Sequence, residues 1–139
     1  MKILFTLLAA IFFLSCNSTS EKEEKFDNLM QEVIDVHDEV MPKMTDISQL
    51  IAELEKKTDT TQAAAYQEAQ DDLEASYDFM MDWMGDFSNK FPHDEEVTEK
   101  DETTFANKLK MLEEEKVEVT LLKEQINTSI ANARALLNK

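Results

Sequence analysis

Glycine is nearly missing from this chain: Gly85 stands alone among 139 residues, with two prolines, one cysteine and one tryptophan. Lacking glycine, the sequence has no Gly-rich phosphate loop and no EF-hand turn, and no HExxH motif marks a zinc site. His37-Asp38-Glu39 and His93-Asp94-Glu95 each begin an acidic phrase without the second histidine that metal chemistry would need. Basic residues are also scarce, 14 against 30 acidic ones for a net charge of −16. Nucleic acid is thereby disfavoured, because holding phosphates takes lysine and arginine. No stretch alternates polar and apolar residues for long, so nothing reads as strand. Paired carboxylates abound, but the loops that would build a catalytic cleft around them are absent, and an enzyme is not expected.

What is present begins at the first residue. Met1-Lys2 precedes an apolar run from Ile3 to Leu14, and the segment closes on Phe13-Leu14-Ser15-Cys16. A basic start, a short apolar centre and a small residue before cysteine form a bacterial lipoprotein export signal. The run is about a dozen residues, whereas a spanning helix needs about 20. Residues 1–15 are therefore expected to be removed, leaving Cys16 as the lipidated first residue. Phe13 stands where such boxes usually carry leucine. Cys16 is the sole cysteine, so its lipidation leaves no thiol for disulfides, catalysis or metal binding. Excision takes away Lys2 and no acid, leaving 13 basic against 30 acidic residues, or −17. Asn17 follows the cysteine in place of an inner-membrane-retaining Asp, which points to the outer membrane. Lys22-Glu23-Glu24 looks like a lysine-plus-acidic surface-export signal and equally like a solvated helix start. Two acyl chains suffice for stable anchoring.

The mature chain reads as one all-α domain after a lipidated acidic tether at 16–25. Ser20 with Glu23 is a capping box. From there Phe26, Met30, Val33, His37, Val40, Met44, Ile47, Ile51 and Leu54 alternate steps of four and three, the seam of a coiled-coil-like helix. Pro42 lies on its outward face, so the first helix, about 20–57, is expected to bend there without ending. A short turn with Asp59 and Gln62 as cap pair precedes a second helix at about 60–88, carrying Tyr66, Ala69, Leu73, Tyr77, Met80, Met84 and Phe87 inward. Thr98 is the expected cap of the third, 98–138, with Phe105, Leu112, Val119, Leu122, Ile126, Ile130 and Ala133 inward and Glu113-Glu114-Glu115 outside. These helices of roughly 37, 28 and 40 residues would measure about 55, 42 and 60 Å. The short first turn predicts an up-down-up antiparallel three-helix bundle over 26–139.

Two side-chain groups are candidate sites. His37, Met41 and Met44 share one side of the first helix, and an antiparallel hairpin brings His37 level with Met80 and Met81, within a turn of Met84. An imidazole facing thioethers suits copper(I), although methionine is also a common core filler. The aromatics Tyr77, Phe79, Trp83, Phe87 and Phe91 are spaced for packing on Phe26 and Phe105. Phe79 points away from that stripe and Trp83 lies at its margin; if both are exposed they would form a partner patch.

The phrases His37-Asp38-Glu39-Val40-Met41-Pro42-Lys43-Met44 and Met80-Met81-Asp82-Trp83-Met84 resemble a group of small Bacteroidota lipoproteins carried under the label "viral A-type inclusion protein". The resemblance spans most of the mature chain. It implies an exported, lipidated, helical protein and assigns no active residue.

Three functional classes fit these observations. The first is a lipid-anchored acidic helical envelope protein with a structural or protein-interaction role, able to form a homo-oligomer. The second is a copper-binding bundle. The third is a periplasmic chaperone-like helical protein, against which the acidity counts, since such apolar cradles are usually basic.

Overall fold

The computed structural model describes residues 17–57, 61–93 and 101–138. The export signal, Cys16, Asp59 and Thr98 lie outside them. The described chain is all-α, with no strand, in four segments: α1 (Asn17–Val40), α2 (Lys43–Glu55), α3 (Ala63–Lys90) and α4 (Glu102–Leu137).

The first expected helix is divided at Met41-Pro42. Pro42 brings no N–H, and beyond it the bonding tightens to the i→i−3 pattern, with Met44 N on Met41 O at 3.2 Å and Thr45 N on Pro42 O at 3.3 Å. Pro42 keeps helical dihedrals (φ −61°, ψ −26°). The buried seam therefore runs on across the joint, through Val33, Val40, Met44, Ile47, Leu50 and Leu54.

Helix ends also differ from expectation. Ser20 lies inside α1, so it does not cap it. α3 starts at Ala63, with Gln62 in the cap position and no side-chain cap bond. α4 is capped by Asp101, whose carboxylate accepts from Thr103 N at 3.1 Å and Thr104 N at 3.2 Å. A short acidic side chain at an extended residue satisfies two otherwise unpartnered amides, which explains the start there.

The core is a single apolar seam. Val33, Val40, Ile47, Leu54, Leu73, Met80, Leu112, Val119, Leu122, Ile126 and Ala133 are fully buried. Each large one contributes about 1.5–3 kcal/mol by leaving water. Contacts between α1–α2 and α4 advance together: Lys25 meets Glu113, Lys116 meets Glu32, Lys123 meets Glu39, and Arg134 meets Asp46. Contacts between α3 and α4 run oppositely, Ser76 meeting Ser129 and Lys90 meeting Glu115. No helix among the described residues is long and apolar enough to cross a membrane.

Candidate functional site

The polar side chains of α4 sort into two kinds. Along its boundary with α1 and α2 its bases are spent on neighbouring carboxylates. Lys123 Nζ donates to Glu39 at 2.6 Å, and that hydrogen bond, followed by the Lys123 and Lys43 charges, holds the Glu39 carboxyl below its ordinary value. Arg134 reaches Asp46 at 2.8 Å, Lys25 reaches Glu113 at 2.8 Å, and Lys116 pairs with Glu32. Such half-exposed pairs contribute little stability individually but neutralise this seam.

Glu115 is the second kind. It was placed outside with Glu113 and Glu114, yet it is 1% exposed. The residue falls on the inward stripe between Leu112 and Val119, where a hydrophobe is the usual occupant. Lys90, the last residue of α3, donates to its Oε1 at 2.6 Å, while Oε2 has no partner among the described residues. That hydrogen bond raises the Lys90 pKa, with burial opposing and Glu115, Glu118 and Asp86 adding their charges. Lys108 seals this end by donating to Lys90 O at 2.7 Å and lying 5.5 Å from the Phe91 ring centre.

Phe79 and Trp83 do not form the exposed patch considered for them. Trp83 is 3% exposed and Phe79 packs partly buried against the core. Trp83 is covered in part by His37, stacked on it at 5.6 Å, and by Phe87, stacked at 5.0 Å. The ladder continues through Phe91 to Phe26 and Phe105, with centroids 5.1, 6.3 and 5.7 Å apart. Of these rings only Phe91 reaches Phe26, Trp83 and Phe87 join the core through the ladder, and Tyr77, expected inward, is instead 38% exposed.

The residues considered for copper are dispersed in environment. Met44 and Met80 are core side chains, Met81 and Met84 are half-buried, and Met41 is exposed. His37 is level with Trp83, about one turn beyond Met80, and its Nδ1 lies 3.0 Å from Asp38 Oδ1. Among the described residues no group of three or more His, Cys, Asp or Glu side chains could hold a metal ion.

What distinguishes the outer surface is α3. From Ala63 to Asn89 it carries Glu68, Asp71, Asp72, Glu74, Asp78, Asp82 and Asp86 and no lysine or arginine. Its one base, Lys90, is engaged by Glu115. Among the described residues, the ion pairs between helices join α4 to its neighbours or, in Lys43–Glu39, α2 to α1, and none takes a carboxylate of α3. Asp71 and Glu74 accept only neutral amide donors, from Gln67 at 2.8 Å and Gln70 at 3.2 Å. The lack of bases was plain in the sequence; that the other helices spend theirs on each other was not.

Among the described residues, surface grooves of comparable size flank the helices. One of about 420 Å³, lined by Glu24, Lys25, Leu29, Glu32 and Lys116, is crossed by the Lys116–Glu32 pair. Another of about 320 Å³, lined by Asp46, Leu50, Glu53, Arg134 and Leu137, is crossed by Arg134–Asp46. The third, about 400 Å³ between α2 and α3, is lined by Ser48, Ile51, Glu74, Tyr77 and Asp78 and contains no base.

No family model, no curated protein and no solved structure matches this chain.

Proposed function

We propose that this chain is a lipid-anchored acidic helical envelope protein whose role is to hold a basic protein partner at the membrane. The observation that carries this reading is the unneutralised acidic side of α3, set against the ion-paired boundary between α1–α2 and α4. A charged face left without basic partners of its own steers an oppositely charged protein and favours the right orientation on encounter. Apart from Ser76, Glu115 and Ser129, the buried seam is filled by apolar side chains, which supports a scaffold more than a reaction chamber.

In this proposal the long helices run up, down and up as a three-helix bundle, with α1 and α2 together forming the first. The advancing contacts of α1–α2 with α4 and the reversed contacts of α3 with α4 support that arrangement. Cys16 carries the lipid after loss of residues 1–15, in keeping with the resemblance to small Bacteroidota lipoproteins, and Asn17 after it favours an outer-membrane location. Anionic lipid would repel the acidic domain, leaving α3 directed to protein.

The test is carboxyl-to-amine crosslinking in intact cells, comparing the wild-type chain with one carrying Asp71→Asn, Asp72→Asn, Asp78→Asn and Asp82→Asn. The expected result is a discrete crosslinked complex in membranes that the variant loses while still fractionating with membranes. An unchanged complex in the variant would refute docking through α3.

A further inference from the structure

The groove between α2 and α3 differs from the other two in having no basic side chain in its lining. Its floor is apolar, formed by the half-buried Ile51 and by the ring of Tyr77, which is 38% exposed. Its rim carries the carboxylates of Glu74 and Asp78, one turn apart on α3. An exposed aromatic face flanked by two carboxylates suits a cation carried on an apolar stem. A ring attracts a cation within about 6 Å of its centroid, and the methylenes of lysine or arginine lie well on apolar surface.

We infer that this groove receives a lysine or arginine side chain of a protein partner, its charged head over Tyr77 between Glu74 and Asp78 and its stem against Ile51. The inference rests on the interaction role proposed above and names the partner's chemistry and the point of contact. A second copy of this chain is the wrong occupant, because it brings the same excess of negative charge and its α1–α4 lysines already hold carboxylates. Anions and nucleic acid are repelled by the rim.

The test uses the full-length chain in neutral detergent and, as probe, a short amphipathic helical peptide built of leucine and lysine, with its glutamate-for-lysine counterpart as control. Affinity is read by calorimetry, and the contact site from amide shifts of Ser48, Ile51 and Tyr77. The lysine peptide should bind with shifts centred on those residues, and the glutamate peptide should not bind. Tyr77→Ala and, separately, Glu74→Gln with Asp78→Asn should each weaken binding by about tenfold, the scale of a desolvated cation–aromatic contact. Glu23→Gln with Asp27→Asn, which removes the same charge from α1, should change it by less than about twofold, as expected for screened distant charges. Equal weakening by both charge-neutral pairs would overturn the groove while leaving an acidic interaction surface. No binding of the lysine peptide at all would overturn the groove and the interaction role together.

Discussion

Lys90 and Glu115 are joined at 2.6 Å across the α3–α4 boundary, one side chain 36% exposed and the other 1%. The pair sits where the inward stripe of α4 would otherwise carry a hydrophobe. Removing the lysine alone strands a buried carboxylate. Lys90→Met should therefore destabilise the fold by about 2 kcal/mol, below the ~3–5 kcal/mol of a fully buried pair because Lys90 is partly solvated. Lys90→Met with Glu115→Leu should recover that loss or exceed the wild type. Urea unfolding of the three proteins separates these outcomes.

The same pair sets an alkaline limit. Lys90 is raised above the ordinary 10.5 chiefly by its hydrogen bond to Glu115. Its contribution to stability is complete below 10.5 and is lost as pH climbs through the higher folded-state value. Unfolding midpoints should fall in that alkaline range for the wild type and fall less in the doubly substituted protein.

At the start of α4, the carboxyl of Asp101 is lowered first by the Thr104 hydroxyl and amide and then by the Thr103 amide, with slight burial opposing. The cap's contribution is present above the ordinary 3.8 and is lost as pH falls through the lower folded value. Hydrogen exchange at Thr103 and Thr104 should therefore accelerate in strong acid. Asp101→Ala should show that acceleration at neutral pH, and Asp101→Asn should restore the cap without its acid sensitivity.

Gly85 lies in the interior of α3 without a positive φ, and an added Cβ would meet nothing within 4 Å. Gly85→Ala should raise stability by about 0.5–1 kcal/mol by reducing the freedom of the unfolded chain. A thermal melt checks this directly.

Trp83 stacks with both His37 and Phe87 and is 3% exposed. Its emission should lie at the blue end of the tryptophan range and resist iodide quenching. Trp83→Ala should cost about 3–5 kcal/mol, the usual loss for a large core aromatic. Red-shifted, readily quenched emission would contradict the stacked arrangement.

Much of the helical class was legible because alternating steps of four and three put Val33, Val40, Ile47 and Leu54 on one line, and those residues are fully buried. Trp83 was harder to place. Periodicity sets it at the stripe's margin, and only the neighbouring helix, through His37, decides that it is covered. Glu115 misled for a related reason: a carboxylate inside a run of three glutamates reads as surface until Lys90 is brought to it from another helix. Ser20 had the composition of a cap, but the helical hydrogen bonding already includes it. The groove at Tyr77 depends on which bases the other helices use up, a three-dimensional property with no local sequence signal.

A photoreactive residue placed at position 77 in living cells tests most directly whether this face holds a protein partner. Position 117, where Val117 is 60% exposed on α4, and position 27 on α1 serve as comparisons. Illumination should yield one discrete adduct from position 77, abolished by Glu74→Gln with Asp78→Asn, and none from positions 117 or 27. Adducts of equal yield from all three positions, or none from position 77, would contradict docking through the α2–α3 groove.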